Sequence, residues 1–489
     1  MSNRRFYITT AIAYVNGDPH LGHALELVQA DVLARHRRLR GEDVRFLTGT
    51  DDNALKNVDA AVAAGVPVAE FVAEKADRFA ALATPLQISN DDFIRTSTDP
   101  RHRPGVERLW RACTEAGDLY ERDYEGLYCS GREAFVAPEE LVDGRCREHG
   151  EAPEPVRERN WFFRLSRFER KLADLIESGR LRVEPEHRRN EVLAFVTGGL
   201  TDFSVSRTHE RARGWGLPVP DDPGQVIYVW FDALANYITA LDYGSDGEAY
   251  GHWWRESDER VHVIGKGITR FHAVYWPAIL LSAGEPLPTA ILVHDYLTVD
   301  GQKLSKSLGN AVDPLVVTER YDADALRWWF VHDVPRNGDA DFREELLAAR
   351  ANELADDLGN LVNRTIALVA RLEPLRTGTP VAGSTALPAA IDVALRAFDL
   401  RTAAAPLWEV VAEANRYVSA TRPWELENAA RADVLATLLA TCRLVSHELA
   451  PFLPAAAERV AAALDNLDPQ RGRALFPKVR IPAGARRAR

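Results

Sequence analysis

The first fifty residues constrain the fold most, because they follow the order strand, turn, helix, strand. An apolar, β-rich run covers 6–14, and the turn sequence NGDP at 16–19 ends it. ALELVQADVLARHRRLR then carries apolar residues on a helical period, Gly41 ends the helix, and 44–48 is the next apolar run. This order predicts a βαβ unit and therefore a doubly wound parallel sheet.

A second set of such segments returns later in the chain, as VIYVWFDAL, VHVIGKG, a helical FHAVYWPAILLSAG, and TAILVHDYLTV. Two sets separated by a different sequence predict one Rossmann-like α/β fold that is split by an insertion. The last third is helical throughout, with apolar residues at i, i+3 and i+4. We therefore expect a first half of the α/β domain at 1–117, an insertion at 118–213, the second half at 214–325 and an α-helical bundle at 326–489.

The composition excludes several classes of protein. With 46% hydrophobic and 27% charged residues among 489, the chain is neither disordered nor collagen-like. It has no apolar run of about 20 residues, so we expect no membrane helix, and four cysteines favour a reducing cytoplasm. A net charge of −12 argues against a protein that coats nucleic acid, although it permits a local basic groove.

Two histidines stand where the first strand turns into the first helix, in the sequence His20-Leu21-Gly22-His23. A helix start favours phosphate, because its backbone N–H groups and its dipole both point outward. The histidines are three residues apart and so share a helix face, while Gly22 lets a nucleotide approach the backbone. Two surface histidines at a helix start are the alternative.

A basic loop, GQKLSKS at 301–307, follows a late strand. Its ammonium groups, Lys303 and Lys306, beside hydroxyl groups suit a polyphosphate whose charge grows in the transition state. By itself such a loop is more often a solvated surface. Together with the histidine motif on the first βα turn, it becomes a specific signal of nucleotide chemistry.

This pair of motifs resembles the signature of the class I aminoacyl-tRNA synthetases. The segments TTAIAYVNGDPHLGHALELVQADV, YEGLYC, YVWFDALANYITALDY, FHAVYWPAIL, DDLGNLVNRT and NRYVSATRPW make nearly the whole chain resemble the methionyl-tRNA synthetases. The resemblance implies a cytoplasmic, monomeric ligase that forms methionyl-adenylate from methionine and ATP with Mg²⁺ and passes the methionyl group to tRNA(Met).

The resemblance also implies site residues at matching positions. Catalytic stabilisation of the reacting phosphates would come from His20, His23, Lys303 and Lys306. Further ATP contacts would come from Gly22, Gly265, Leu297 and Arg207. Methionine would lie among Ala11, Ile12, Tyr14, Asp51, Trp230, Ala233, Leu234, Tyr237, Phe271 and His272, with Asp51 on its ammonium group. The anticodon would be read by Asn360, Arg364 and Trp424.

Some of these residues have plainer interpretations when the resemblance is set aside. Trp230 and Tyr237 suit ordinary core packing as well as they suit a binding pocket. Arg207 could equally form a salt bridge within the insertion, and a tryptophan after proline, such as Trp424, is more often a packing residue.

The sequence departs from the family pattern at a zinc knuckle. The two ligand pairs read Cys129-Ser-Gly-Arg132 and Cys146-Arg-Glu-His149. Because arginine does not ligate metals, at most three ligands remain where structural zinc takes four. We therefore expect no structural zinc.

Two other departures lie nearer the chemistry. Asn53-Ala54 replaces the His-Gly that usually ends the motif after the second strand, and Gly267 replaces an aspartate that holds the ribose of ATP. Loss of one hydrogen bond to a charged group would cost about 1.5–3 kcal/mol of nucleotide binding. Leu304 in place of methionine in the lysine loop conserves volume and should be mild.

These departures leave two alternatives open. One is a divergent paralogue, either an inhibitor-resistant second copy or an amino-acid-activating enzyme of a biosynthetic pathway. The other is a non-catalytic tRNA-binding protein that uses the helical bundle alone, which the intact lysine loop argues against.

Overall fold

The computed structural model describes residues 4–129, 134–136, 140–147, 150, 152–304, 310–370, 376–467 and 475–480. The chain forms two compact units. The first comprises Met1–Asp18, Asp43–Ala81 and Asn90–Val293, and the second comprises Pro19–Glu42, Leu82–Ser89 and His294–Arg489. The first long helix therefore groups with the C-terminal helices. The boundaries of the four parts expected from the sequence stay predictions.

The strands form one parallel sheet and several smaller sheets. In chain order they are β1 Arg5–Thr10, β2 Ala13–Tyr14, β3 Asp43–Asp51, β4 Asp92–Arg95, β5 Leu119–Cys129, β6 Ala134–Val136, β7 Leu141–Val142, β8 Arg145–Cys146, β9 Glu154–Phe163, β10 Arg182–Glu184, β11 Phe203–Ser204, β12 Ser206–Thr208, β13 Pro218–Val219, β14 Asp222–Ile227, β15 Glu259–Gly265, β16 Ala290–His294, β17 Leu297–Val299, β18 Gln302–Lys303 and β19 Ala340–Asp341.

The α-helices of the described residues range from 3 to 22 residues in length. In chain order they are α1 Leu21–Leu39, α2 Leu55–Ala64, α3 Val68–Ala80, α4 Ala83–Leu86, α5 His102–Glu115, α6 Glu169–Glu177, α7 Glu186–Thr197, α8 Val229–Leu234, α9 Asn236–Thr239, α10 Glu248–Tyr250, α11 Trp276–Ser282, α12 Pro314–Tyr321, α13 Ala323–His332, α14 Glu344–Glu353, α15 Asn360–Val369, α16 Leu387–Arg396, α17 Leu400–Thr421, α18 Asn428–Leu449 and α19 Pro454–Asn466. In the described part of the chain, no helix is long and apolar enough to cross a bilayer.

The parallel sheet confirms the predicted fold class. Its order is β10-β16-β15-β1-β3-β2, with β4 added beside β3. β1 runs parallel to β3 and to β15, with Tyr7 opposite Arg45 and Ile8 opposite Val261. The early and late segments of the chain thus meet in one sheet, as a split α/β fold requires. β10 lies within 118–213, and it too joins this sheet beside β16.

A separate antiparallel sheet, in the order β11-β9-β5-β6, occupies much of 118–213.

The core of the first unit is rich in buried aromatic rings, among them Tyr7, Phe231, Trp254 and Trp276. This core packs against four residues that the sequence assigns to methionine, namely Ala11, Ile12, Trp230 and Phe271, and so gives them a rigid support.

In the second unit, neighbouring helices pack in sequence order from α16 to α19, and α13 packs on α1. The core includes the fully buried Trp328 and an ion pair between Arg327 and Asp31, whose side chains are both 0% exposed. The short strand Ala340–Asp341 is an exception to the expected helical pattern after residue 326, because it pairs with β17.

Candidate active site

The two histidines of the first motif cap α1 in the second unit. His20 Nδ1 accepts a hydrogen bond from the backbone N–H of Gly22 at 3.1 Å, and the backbone N–H of His20 donates to His23 Nδ1 at 3.1 Å. The rings stack with their centroids 3.9 Å apart. Because both Nδ1 atoms accept, each neutral ring carries its proton on Nε2. Two such donors at a helix start suit a phosphate group.

Gly22 is required by this capping. A Cβ atom at Gly22 would lie 2.9 Å from Cε1 and 3.0 Å from Nδ1 of His20. An alanine would therefore displace the ring from its capping position. The sequence explains this glycine by the close approach of a nucleotide. The capping His20 ring is a second reason why a side chain is not tolerated at this position.

The start of the lysine loop is held by an aspartate that the sequence did not single out. Lys303 closes β18, and its Nζ lies 4.0 Å from the centre of the Tyr296 ring. Asp341 accepts a hydrogen bond from the backbone N–H of Gly301 at 3.0 Å, which lowers the pKa of the Asp341 carboxyl. Lys306 lies outside the described residues.

A charged pair joins α1 to the segment before the lysine loop. His294 Nε2 lies 3.0 Å from Glu26 Oε2, and His294 Nδ1 donates to the carbonyl oxygen of Asp295 at 2.9 Å. Burial is the largest single influence on the pKa of His294 and lowers it, but the hydrogen bonds and negative charges of Glu26 and Asp295 together outweigh burial, so the pKa is raised. Leu297, assigned to ATP, is buried in β17 a few residues further on.

Two residues assigned to ATP lie in the first unit. Gly265 is the last residue of β15. Arg207 is buried, its Nη1 donates to Ser204 Oγ at 3.0 Å and to the carbonyl oxygen of Ser206 at 2.7 Å, and its guanidinium lies 4.4 Å from the centre of the Tyr228 ring. These contacts orient the guanidinium, and its action on phosphates stays a prediction.

Aromatic rings assigned to methionine come together in the first unit. Trp230 stacks on Phe271 with centroids 3.7 Å apart and planes 5° apart, and the Tyr14 ring lies 6.2 Å from Trp230. Phe271 begins a π-helical segment, Phe271–Tyr275, and such segments often occur at functional sites. The flat faces are the kind of surface that a polarizable thioether contacts favourably.

A neutral polar pair lies beside these rings. The Tyr237 hydroxyl lies 2.7 Å from His272 Nε2, while His272 Nδ1 donates to the carbonyl oxygen of Ile268 at 2.9 Å. The Tyr237 hydroxyl is therefore the donor to Nε2. Burial lowers the pKa of His272 to about 4, so the ring is neutral at physiological pH.

The remaining residues assigned to methionine lie on neighbouring segments of the same unit. Asp51 is buried at the carboxyl end of β3, where its Oδ1 accepts from the backbone N–H of Asn53 at 3.2 Å and its carbonyl oxygen accepts from Asn57 Nδ2 at 2.9 Å. A substrate is expected at this end of a parallel sheet. The other members are Ala11 and Ile12, which follow β1, and Ala233 and Leu234, which are buried in α8.

Sequence reasoning missed a second buried histidine next to Tyr237. His262 stacks on the Tyr237 ring at 4.1 Å, accepts at Nε2 from Trp276 Nε1 at 3.2 Å, and shares a 2.7 Å hydrogen bond with Thr9 Oγ1. Burial lowers the pKa of His262 well below its usual range. A polar residue within the apolar run VHVIG was the available signal.

The cysteines of the degenerate knuckle are buried in a small apolar cluster. Cys129, Cys146 and Val136 are packed with Leu127 and Leu141. Among the described residues, no group of three or more His, Cys, Asp or Glu side chains could hold a metal ion. The predicted third ligand, His149, and the substituted Arg132 lie outside those residues, so the absence of zinc stays a prediction.

The residues assigned to the anticodon lie in the second unit. Asn360 starts α15 and is exposed, and Arg364 follows it by one helical turn. The Arg364 guanidinium lies 5.8 Å from the centre of the Trp424 ring, and Trp424 is 48% exposed. An exposed ring beside a guanidinium is a stacking surface rather than a core contact.

Comparisons with known proteins agree with this geometry. A sequence profile described as "tRNA synthetases class I (M)" matches residues 6–146 and 132–366. The methionine–tRNA ligase of Brucella suis is 42% identical over 479 residues, which cover 94% of this chain and 92% of that protein. The one from Thermotoga maritima is 41% identical over 450 residues, covering 89% and 70%. Mycobacterium tuberculosis methionyl-tRNA synthetase in complex with methionyl-adenylate matches with a TM-score of 0.87 and 39% identity over 98% of both chains. This chain therefore belongs to the methionyl-tRNA synthetase family of class I aminoacyl-tRNA synthetases.

Proposed function

We propose that this protein is a methionine–tRNA ligase, which activates methionine with ATP and transfers the methionyl group to tRNA(Met). The observation that carries the proposal is the neutral aromatic pocket of the first unit, in which the Trp230–Phe271 stack lies beside the Tyr237–His272 pair. We also propose a monomer that works in the cytoplasm.

The pocket favours methionine over charged side chains. Its rings offer apolar, polarizable contacts, and its one paired imidazole is neutral because its pKa is about 4. A charged side chain would lose its hydration there without gaining a partner of opposite charge. The buried carboxylate of Asp51 is a suitable partner for the ammonium group that every amino acid carries.

Activation needs positioning and charge stabilisation and no covalent enzyme intermediate. The methionine carboxylate attacks the α-phosphorus of ATP and pyrophosphate leaves; a hydroxyl of the terminal adenosine of tRNA then attacks the acyl carbon and AMP leaves. His20 and His23 would donate from Nε2 to phosphate oxygens, and Lys303 and Lys306 would neutralise the charge that grows there. Mg²⁺ bound to the phosphates would add positive charge.

In the second unit, the exposed Trp424 beside Arg364 supports a role in reading the anticodon. Single-stranded RNA loops are recognised by stacking of bases on aromatic rings and by hydrogen bonds to base edges. Asn360, one turn from Arg364, can supply such hydrogen bonds with its amide group.

The proposal is tested by methionine-dependent ATP–pyrophosphate exchange in the Lys306→Ala variant. We expect exchange to fall by at least about 100-fold, because one stabilising charge is lost in the transition state, while methionine binding survives. Lys171→Ala is the matched control, because it removes a lysine from an exposed position of α6. Any contact of Lys171 with tRNA would not affect the result, since pyrophosphate exchange involves no tRNA. Unchanged exchange in Lys306→Ala would overturn the assignment.

Charging of a tRNA with a CAU anticodon separates the ligase from the alternatives. Exchange together with charging supports the ligase. Exchange without charging would indicate a biosynthetic activating enzyme, and neither activity would indicate a tRNA-binding protein. The relatives are named as methionine–tRNA ligases and give no support to either alternative.

A further inference from the structure

Four buried side chains in the first unit form a hydrogen-bonded chain that lies outside the residues assigned to methionine. Asp232 is at its centre, where Oδ2 accepts from Asn53 Nδ2 at 2.7 Å and Oδ1 lies 2.6 Å from His102 Nε2. His102 Nδ1 lies 2.8 Å from Thr239 Oγ1. The exposed fractions of Asn53, His102, Asp232 and Thr239 are 8%, 0%, 1% and 0%.

Both ends of this series of hydrogen bonds reach the proposed methionine site. At one end, the backbone N–H of Asn53 donates to Oδ1 of Asp51, the proposed partner of the ammonium group. In the middle, Asp232 belongs to α8, which also carries Trp230 of the aromatic pocket. At the other end, Thr239 follows Tyr237 by two residues in α9.

A buried carboxylate enforces the geometry of such a chain. Asp232 can only accept hydrogen bonds, and each of its oxygens faces one donor, Asn53 on one side and His102 on the other. If either donor is removed, a buried carboxylate oxygen loses its partner, which costs more than the bond itself gained, so the surrounding segments must shift. The Asp51 turn and α8 are therefore held at a fixed separation.

We propose that Asn53 and His102 are positioning residues for methionine, which act through Asp232 to fix Asp51 relative to the aromatic pocket. This inference rests on the proposed function. It also accounts for Asn53 itself: the position calls for a hydrogen-bond donor directed at Asp232, and the amide supplies it. Neither residue needs to touch the substrate.

The first test changes the donor without changing its size. Asn53→Asp replaces the amide donor with an acceptor opposite Oδ2 of Asp232. Asn53→His keeps a donor at this position. We expect Asn53→Asp to raise the KM for methionine in pyrophosphate exchange by about 10- to 100-fold, with kcat and the KM for ATP within about threefold of wild type. Asn53→His should raise the methionine KM much less than Asn53→Asp does.

The second test uses the two nitrogens of His102. Glutamine places its amide nitrogen near the position of Nε2 and keeps the donor to Asp232, whereas asparagine reaches only the position of Nδ1, towards Thr239. We expect His102→Asn to raise the methionine KM about tenfold and His102→Gln to raise it much less.

Asn90→Asp is the control for Asn53→Asp, because it makes the same substitution at an amide that donates to the backbone carbonyl of Asp92 and not to Asp232.

Circular dichroism and thermal unfolding establish that each variant is folded, and quenching of tryptophan fluorescence measures methionine binding directly. Equal methionine KM values for His102→Asn and His102→Gln, or an unchanged KM in Asn53→Asp, would overturn the positioning role. Absence of methionine-dependent exchange in the wild-type protein would instead overturn the proposed function.

Discussion

Gly267 stands where the resemblance implies an aspartate that holds the ribose of ATP, and its backbone conformation is one that an aspartate can adopt. It lies in the 3₁₀ turn Lys266–Ile268, and it is not one of the glycines with positive φ. A Cβ at this position therefore causes no backbone strain of the left-handed kind. If the ribose contact is lost, the cause is therefore the missing side chain and not the local backbone.

We therefore predict that Gly267→Asp lowers the KM for ATP in pyrophosphate exchange by about tenfold, because it adds a hydrogen bond between a carboxylate and a ribose hydroxyl. The methionine KM should not change. Gly251→Asp is a matched control, because Gly251 has φ −56° and a Cβ there meets nothing within 4 Å. An ATP KM that is unchanged or higher in Gly267→Asp would mean that another group already occupies the ribose position.

At the residue scale, the sequence predicted contacts between side chains that are close in the chain. It did not predict contacts between side chains that are far apart in the chain. His20 and His23 share one helix start, so their spacing alone placed them on one face, as the capping geometry confirms. Asn53, His102 and Asp232 come from three remote segments, and no local pattern relates them. Their association depends on tertiary structure.

At the scale of elements, α1 is the helix that bears the histidine motif at one end and an ion network at the other. Arg40 Nη2 lies 2.6 Å from Glu448 Oε2, and Arg40 Nε lies 2.7 Å from Asp392 Oδ1. His36 Nε2 also lies 2.8 Å from Asp392 Oδ1. The network therefore joins α1 to α16 and α18 within the second unit.

Arg40→Ala should destabilise the second unit by about 3–5 kcal/mol, because it leaves the carboxylate of Glu448, which is 2% exposed in the intact pair, without its partner. The measurement is the urea midpoint followed by far-ultraviolet circular dichroism. Arg40→Lys should fall between wild type and Arg40→Ala, since an ammonium group cannot bind a carboxylate with two parallel hydrogen bonds. The double variant Arg40→Met/Glu448→Leu should recover stability, and failure to do so would contradict the explanation.

The apolar runs of the sequence did not fix the bounds of the elements, nor always their type. The apolar run 6–14 forms two strands, Arg5–Thr10 and Ala13–Tyr14, because Ala11 N–H still bonds to the Val263 carbonyl while Ala13 already pairs with β3. The run VIYVWFDAL ends a strand at Ile227 and begins α8 at Val229. An apolar run does not itself distinguish a buried strand from a buried helix.

At the scale of the whole molecule, the chain contains one methionine, Met1, and its four cysteines are all buried. Burial raises the pKa of both Cys113 and Cys442 to about 12, so these thiols are scarcely ionised at neutral pH. The thiolate is the form that oxidants attack, and methionine is the other easily oxidised side chain. The protein body therefore presents little that peroxide can modify.

We predict that hydrogen peroxide leaves pyrophosphate exchange unchanged and adds at most one oxygen atom, at Met1, as measured by intact-mass spectrometry. Leu304→Met is the control, because it places a thioether in the lysine loop, where oxidation would make the side chain polar. That variant should lose activity with peroxide while being active before treatment. Equal loss in the wild-type protein would contradict the prediction.

The π-helical segment Phe271–Tyr275 makes the pocket depend on the length of the chain as well as on its side chains. Each residue of a helix turns the chain by about 100°. Deletion of one residue from the π-helical segment, if it restored a regular helix, would therefore rotate the residues before the deletion relative to α11. Leu354–Gly359, immediately before Asn360, has the same geometry. At both places a deletion of one codon would turn residues that the sequence assigns to methionine or to the anticodon, even though every residue type there is retained.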